Sequence, residues 1–499
     1  MSMYRMAPAV LVRPRSVQAL AAALRLAAEA GVPVTLRAGG SGTGGAALGG
    51  GMVLDLAQLP EAAVLEKAGD PPPADAGAQA AGEGPAVRVG AAVRHDRFQR
   101  YLRDEGYTMP ADPSSGQLSL IGGNIATRAS GPHALTTGAV NRYVEAMRIL
   151  LADGTLVDTA RPETIPPRLI EGIRDLQQRL EGSPELLRRA ERLRSRKIAS
   201  GYNLLGLLRD GGEFPAPRRA VEQLMCGSVG TLAVVLDVTL RGRPREDRAE
   251  TLLVPAASRG AACDFALACR DRGAAAVELV DAEALAFLGT AEHPGEAGEH
   301  LLYVELRGAD AAERREDLLR LAEGHRGIAA ARLRAATDAA EQEELWKLRK
   351  RLLLEIRRAP APFRPLSVVN DVGVPPEKLA SFTERAVEIF RAEELTAPIY
   401  GHAGSGNLHL RPLFDTSRRE IREQIRRVAD RIYGEALARD GTVSGEHGMG
   451  RLRSPYLPDE WGPEGMRLFR DIRELFDPEH RLADHALFHQ GDLLEHMDL

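Results

Sequence analysis

The sequence predicts an α+β protein of two domains, and three observations predict it. The chain has 499 residues, more than a single hydrophobic core sustains. Near the N-terminus two β-branched, apolar runs, 32–37 and 52–56, flank the glycine-rich stretch 39–51, with no helical pattern directly after the glycines. Beyond the charged stretch 241–250 (RGRPREDRAE), strand patterns at 251–254, 276–279 and 301–306 alternate with helical ones. The charged stretch marks the boundary, giving domains 1–245 and 246–499.

The elements follow in order. A helical pattern opens at Pro14-Arg15-Ser16 and runs to about Ala30, with Ser16 able to cap it and Gly31 able to end it. The stretch 67–85 (KAGDPPPADAGAQAAGEGP) nearly lacks large apolar side chains and reads as a mobile loop. A strand at 87–89, a helix at 94–105 and a strand at 143–151, ended by Ala152-Asp153-Gly154, come next. Residues 162–196 are helical and so highly charged that they read as a solvated excursion. Residues 231–240 form a buried strand, and 377–391 and 418–439 are strong helical patterns.

Composition removes several classes. With 44% hydrophobic and 27% charged residues the chain is an ordinary globular protein, and a net charge of -5 argues against a nucleic-acid binder. The three cysteines, Cys226, Cys263 and Cys269, form no CxxC pair and are too few for an iron–sulfur cluster. They read as small buried apolar residues in a reducing, cytoplasmic setting. No apolar stretch is long enough to span a bilayer, and no signal-peptide pattern is present, although peripheral attachment to a membrane stays open.

Arg37-Ala38-Gly39-Gly40-Ser41-Gly42-Thr43-Gly44-Gly45 can cradle phosphates, because successive N–H groups of a glycine-rich turn form an anion-binding nest. No Gly-Lys-Ser/Thr follows, so it is not a P-loop, and a strand follows where a Rossmann loop has a helix. Two runs accompany it: Pro110-Ala111-Asp112-Pro113-Ser114 with Ile121-Gly122-Gly123-Asn124-Ile125-Ala126-Thr127-Arg128-Ala129-Ser130-Gly131-Pro132, and Gly227-Ser228-Val229-Gly230-Thr231-Leu232. In this order they resemble the FAD-binding domain of the vanillyl-alcohol-oxidase, PCMH-type flavoproteins. The last half of the chain resembles the FAD-linked oxidase C-terminal domain. The resemblance implies a two-part PCMH-type FAD-binding domain, then a ferredoxin-like α+β substrate domain and a C-terminal helical segment. It implies that Arg37, Gly39, Gly40, Ser41, Gly42 and Thr43 serve the pyrophosphate. Pro110, Ser119, Gly122, Gly123, Asn124, Ala126, Thr127 and Ser130 would line the flavin side, and Gly230 and Thr231 another part of it. Ser41 stands where relatives with covalent flavin carry histidine, which implies non-covalent FAD. Arg128 stands where many relatives have asparagine.

The second cluster lies late in the chain. His402 and His409 are seven residues apart, and the glycines between them argue for an extended segment or turn. Glu446-His447 sits in a second glycine-rich run, 441–450. Imidazole and carboxylate suit a borderline divalent metal such as zinc or manganese. These segments resemble the D-lactate dehydrogenases, the D-2-hydroxyglutarate dehydrogenases and the glycolate oxidase flavin subunit. That resemblance implies His402, His409 and Glu446 as metal ligands, His447 as the base and Asn407 near the flavin. A substrate carboxylate calls for a planar bidentate cation. Arg349, in a Trp-x-x-Arg pattern with Trp346, is the first candidate and Arg364 the second. The implied reaction takes a D-2-hydroxy acid to the 2-oxo acid, with hydride passing to flavin N5. A separate acceptor (an electron-transfer protein, a quinone or an iron–sulfur subunit) then takes the electrons, and a homodimer is one assembly open to the chain.

Two positions depart from that pattern. Ser405 replaces the aspartate of His-x-Gly-Asp-Gly-Asn, and Leu482-Ala483-Asp484-His485 replaces a Leu-Asn-Pro-Gly terminus. Two other readings stand beside the first: a flavin subunit acting inside a larger electron-transfer complex, and a non-redox transferase of the alkyl-dihydroxyacetone-phosphate synthase type.

Overall fold

The structure, a computed structural model, describes residues 3–68, 83–192, 194, 197–210, 212–246, 248–289, 296, 298–336 and 338–499, so most of the loop expected at 67–85 lies outside it. The chain forms two compact units. The first comprises Met1–Gly131, Ala139–Arg245 and Glu446–Asp498; the second comprises Pro132–Gly138, Glu246–Gly445 and Leu499. One changeover falls at Arg245/Glu246, inside the charged connector. The C-terminal stretch differs from the expected 246–499 domain, because Glu446–Asp498 returns to the first unit.

In the first unit, the helix Val17–Glu29 starts where Ser16 Oγ accepts the Ala19 N–H at 3.0 Å. Its face Leu20, Ala23, Leu24 and Ala27 is buried. Strands Val10–Val12, Met52–Asp55 and Val34–Arg37 form a parallel sheet, with Val34 opposite Met52. Parallel neighbours need a long connection. Here the glycine-rich loop 38–51 supplies it in place of a helix. A five-stranded antiparallel sheet follows, in the order Leu65–Lys67, Ala86–Gly90, Val234–Arg241, Val144–Leu150, Leu156–Asp158.

The charged stretch 162–196 is not a solvated excursion. In the helix Pro167–Gly182, Leu169, Ile173, Leu176 and Leu180 are all at most 2% exposed. They form a stripe at helical spacing, and only the opposite face carries charge. Arg168 Nη1 donates to the Leu475 carbonyl at 2.6 Å, and a Cβ on Gly172 would lie 2.4 Å from Leu475. The helix therefore packs on Leu457–Phe476, which explains why the C-terminal stretch belongs to this unit. The unusual terminus at 482–485 docks here too: Ala483 N–H donates to Val34 O at 2.7 Å.

The second unit is built on a seven-stranded antiparallel sheet in the order Arg334–Ala336, Ala249–Ala256, His300–Arg307, Ala276–Val280, Ile399–His402, Asn407–Leu410, Val372–Gly373. The first four, with the helices Arg259–Asp271 and Ala311–Gly324, have the β-α-β-β-α-β order of a ferredoxin-like fold. Leu253, Leu301, Tyr303, Val280 and Tyr400 share a core with Leu345, Leu352 and Ile356 of the helix Ala339–Ile356. The three cysteines are buried and free, and burial pushes the Cys226 and Cys263 thiols up to about 12. Among the described residues no helix is long and apolar enough to cross a membrane.

His300 makes this unit acid-sensitive. It is 6% exposed, its Nδ1 accepts the Ala282 N–H at 3.1 Å, and burial, helped by the Arg259 charge, lowers its pKa from 6.5 to about 4. The unfolded chain protonates first as pH falls. The contribution of His300 is thus intact above pH 6.5 and drains away toward pH 4, by up to about 3 kcal/mol, while Asp281, raised to about 6 by burial, adds stability below pH 6 and opposes it. Glu305 does not act in that window. Its burial favours the protonated form, but the hydrogen bond and charge of His133, with Arg307, hold it at about 2. We expect His300→Gln to flatten the fall in Tm between pH 6.5 and 4. An unchanged slope would place the acid sensitivity elsewhere.

Candidate functional site

In the first unit the glycine run lies against the segment that carries Ser119 and the short helix Ile121–Ala126. A Cβ on Gly39 would sit 2.5 Å from Leu118 O, and one on Gly123 would lie 3.5 Å from Ala38 Cβ, so the glycine run and the 118–123 segment touch through backbone. Gly40 has φ +61°, a conformation that favours glycine, and a Cβ on Gly42 would meet nothing within 4 Å. Thr43 Oγ1, Ser119 Oγ and Ser228 Oγ are buried without a hydrogen-bond partner among the described residues. Buried hydroxyls in native proteins are hydrogen-bonded. Three orphaned hydroxyls around a backbone-lined cradle fit a ligand rich in phosphate and polar acceptors. Arg37 borders the same loop, its Nε 3.2 Å from where a Gly40 Cβ would stand. Ser41 and Pro110 are half-buried there, as is Gly230 with φ +80°.

Other members of the expected set are already engaged. Asn124 Nδ2 is 3.0 Å from His95 Nδ1, whose Nε2 is 3.1 Å from Asp112 Oδ1. Thr127 Oγ1 donates to Gly123 O at 2.9 Å, and Thr231 Oγ1 donates to Ser228 O at 2.7 Å. Gly122 packs on Ala91, and Ala126 O accepts the Val229 N–H at 2.8 Å. These residues shape the cradle through the backbone they fix. Arg128 has a structural role: it is buried, its φ is +51°, and it donates to Asn203 Oδ1 at 2.5 Å and to Ile198 O.

The second unit gathers a polar row on one face of its sheet. The segment 402–409 is a hairpin, as the glycines implied: Ile399–His402 pairs with Asn407–Leu410, and Gly406 at φ +71° makes the turn. Ser405, the departure from the family pattern, donates from Oγ to His402 O at 3.2 Å, closing that turn. The His402 and His409 rings are 5.1 Å apart at 82°. His402 Nδ1 contacts Glu278 Oε1, and His409 Nδ1 donates to Asn370 O at 2.7 Å. A carbonyl or carboxylate oxygen only accepts, so Nδ1 is the donor in each of these two contacts. Arg349, on the covering helix, donates to Glu278 Oε2 from Nε at 3.1 Å and Nη2 at 2.6 Å, and lies 4.8 Å from the Tyr400 ring centre. Arg364 is exposed on the strand Phe363–Pro365; the buried arginine beside Tyr400 is Arg411, whose Nε is 3.2 Å from its hydroxyl.

Both glutamate-motif neighbours are anchored within their own units. Asp371 accepts from Ser444 Oγ at 2.7 Å and from Asn407 Nδ2 at 3.2 Å, and its carbonyl accepts the Gly445 N–H at 2.9 Å. Asn407 is fully buried, and its Oδ1 has no hydrogen-bond partner among the described residues. One peptide bond later, Glu446 belongs to the first unit. Its Oε2 accepts from Lys197 Nζ at 2.9 Å and Ser130 Oγ at 3.2 Å, and its Oε1 is 3.8 Å from His447 Nε2.

Sequence reasoning passed over Glu278, Asp371 and Lys197 as site residues. Glu278 had a readable signal: it is the charge in the otherwise apolar strand Ala276–Val280, AVELV. Asp371 is a single acid beside Asn370 with no spacing that marks it, and Lys197 is hidden among surface-like basic residues.

Two family models match successive parts of the chain. Residues 8–160 match the FAD binding domain, and residues 245–485 match the C-terminal domain of FAD linked oxidases. The mitochondrial, cytochrome-type D-lactate dehydrogenase of Arabidopsis thaliana is 27% identical over 477 residues, covering 94% of this chain and 72% of that one. The D-lactate dehydrogenase of Archaeoglobus fulgidus is 27% identical over 486 residues, covering 95% and 90%. The D-2-hydroxyglutarate dehydrogenase of Escherichia coli K12 is 26% identical over 529 residues, but this chain spans only 48% of its length. Among solved structures, p-cresol methylhydroxylase with substrate bound (TM-score 0.66, 13% identity, 96% of this chain and 88% of that one) shares the fold. So does the 4-ethylphenol oxidase of Gulosibacter chungangensis (TM-score 0.63, 13% identity, 95% and 87%). With an FAD binding domain followed by the C-terminal domain of FAD linked oxidases on a PCMH-type fold, the chain is an FAD-dependent dehydrogenase or oxidase.

Proposed function

We propose that the chain oxidises a D-2-hydroxy acid, of the D-lactate, D-2-hydroxyglutarate or glycolate type, to the 2-oxo acid, using non-covalent FAD and a divalent cation, zinc or manganese. The observation that carries this reading is the His402–His409 pair: two buried imidazoles on paired strands, each with Nδ1 committed to an acceptor, with the Arg349 guanidinium on the same sheet face. A second hydrogen bond that fixes the ring of a ligating histidine is the usual support of a metal site. The names of the curated relatives support the substrate class.

A bound flavin supplies the hydride acceptor, and a bound divalent cation supplies the Lewis acid for the substrate alcohol. His402, His409 and Glu446 would be the protein ligands of the cation. Arg349 binds the substrate carboxylate, with Arg364 the weaker candidate because it is exposed. His447 takes the hydroxyl proton, and the C2 hydrogen departs with its electron pair, so the 2-oxo acid and one proton are the products. An imidazole suits that role because its ordinary pKa lies near working pH. Asn407 would serve the flavin side. The electrons leave to a separate acceptor; a flavin subunit inside a larger complex would run the same half-reaction. The transferase reading loses ground, because Gly445-Glu446-His447 lacks that group's run of histidines.

Anaerobic titration tests the reading. D-Lactate, D-2-hydroxyglutarate or glycolate is expected to bleach the flavin stoichiometrically in metal-replete protein, with the L-enantiomers inert. If none of the three reduces the flavin, the proposal fails.

A further inference from the structure

We infer that Glu278 is a positioning residue that sets the tautomer of His402, with Arg349 holding the carboxylate in place. The inference rests on the reading of His402 as a metal ligand. Glu278 sits at the centre of the strand Ala276–Val280, every residue of which is buried, and is itself 0% exposed. A carboxylate there is costly unless each oxygen is satisfied. Both are: Oε1 faces His402 Nδ1, and Oε2 receives Nε and Nη2 of Arg349 at 3.1 and 2.6 Å. The register builds the arrangement, since Leu279 pairs with Gly401 and Val280 with Tyr400, bringing Glu278 alongside His402.

The donor count makes a sharp consequence. In this arrangement both neighbours of Glu278 donate, and a guanidinium can never accept. A carboxylate offers two acceptor oxygens; a glutamine amide offers one. In Glu278→Gln the amide oxygen must face Arg349, so the amide N–H faces His402 Nδ1. That forces the His402 proton onto Nε2, the nitrogen proposed to bind metal. The same logic traps the wrong histidine tautomer when a serine-protease triad aspartate becomes asparagine. Glu278→Ala imposes no tautomer. The shape-conserving variant is therefore the more damaging one, opposite to what a packing role predicts.

The test is zinc affinity of the flavin-loaded full chain by chelator competition, alongside ring-nitrogen NMR of ¹⁵N-histidine protein without zinc. Glu278→Gln is expected to weaken zinc binding roughly 10- to 100-fold, and more than Glu278→Ala does, while flavin content stays unchanged. The His402 ring is expected to be protonated at Nδ1 in the wild type and at Nε2 in Glu278→Gln. Glutamine binding zinc within twofold of wild type, or tighter than alanine, overturns the inference. So does a wild-type His402 protonated at Nε2, a readout that needs no variant to fold. His402→Ala separates the two levels. If it binds zinc as tightly as wild type, the metal reading fails and the inference goes with it. If it loses zinc while Glu278→Gln does not, only the inference fails.

Discussion

A His409→Ala protein is expected to keep its FAD, lose its divalent cation and turn over at least about 10³-fold more slowly, since Lewis-acid stabilisation is worth several kcal/mol. The separation of effects follows from where the residues lie. Apart from Asn407, the expected phosphate and flavin contacts belong to the first unit, whereas His409 is a 7% exposed residue of the second. Its loss costs stability as well. The ring packs edge-on against Tyr400 at 5.4 Å, and its Nδ1 serves the buried Asn370 carbonyl at 2.7 Å, a bond whose removal costs about 1–3 kcal/mol. Metal content, flavin absorbance and steady-state rate on one preparation check all three. Turnover within tenfold of wild type in His409→Ala would remove His409 from the chemistry and leave it a packing residue.

How far the sequence led can be read from particular residues. The strand–glycine loop–strand start was legible because alternation and glycine are local signals, and the parallel pair Val34–Arg37 and Met52–Asp55 appears where the pattern put it. The hairpin around Gly406 was legible for the same reason. The proposed ligands could be singled out from sequence because histidines among glycines have few other uses. The partners that make them usable were not visible. Glu278 lies 124 positions from His402, and Asp371 lies 73 from Ser444, distances that only sheet register and loop closure bring together. The misreading of 162–196 has a related cause. Arginines and glutamates dominated its composition, while the four-residue apolar stripe that docks it was thin enough to overlook. The return of Glu446–Asp498 to the first unit was hidden likewise, because Ala483 meets Val34 through backbone atoms that no side-chain pattern reports.

Arg349→Met is expected to damage substrate binding and the protein's interior together, and in a way lysine does not repair. If Arg349 binds the substrate carboxylate in ground and transition states alike, KM rises and kcat falls less. The larger effect comes from Glu278. Its side chain is 1% exposed and Arg349 is its compensating cation, so removing the guanidinium leaves a buried charge; breaking such a pair costs about 3–5 kcal/mol. Glu278 is then no longer held by the guanidinium and loses its fixed position against the His402 ring. Zinc affinity should therefore fall in Arg349→Met, although arginine touches no metal ligand directly. Arg349→Lys restores charge but not the two-nitrogen contact on one oxygen. It should recover part of the stability and little of the substrate affinity. Thermal unfolding, zinc competition and KM measured across the wild type, Arg349→Lys and Arg349→Met series read these contributions separately. A methionine variant with raised KM but wild-type Tm and zinc affinity would show that the Glu278 carboxylate is stabilised without Arg349, and the coupling between substrate and metal ligands would have to be abandoned.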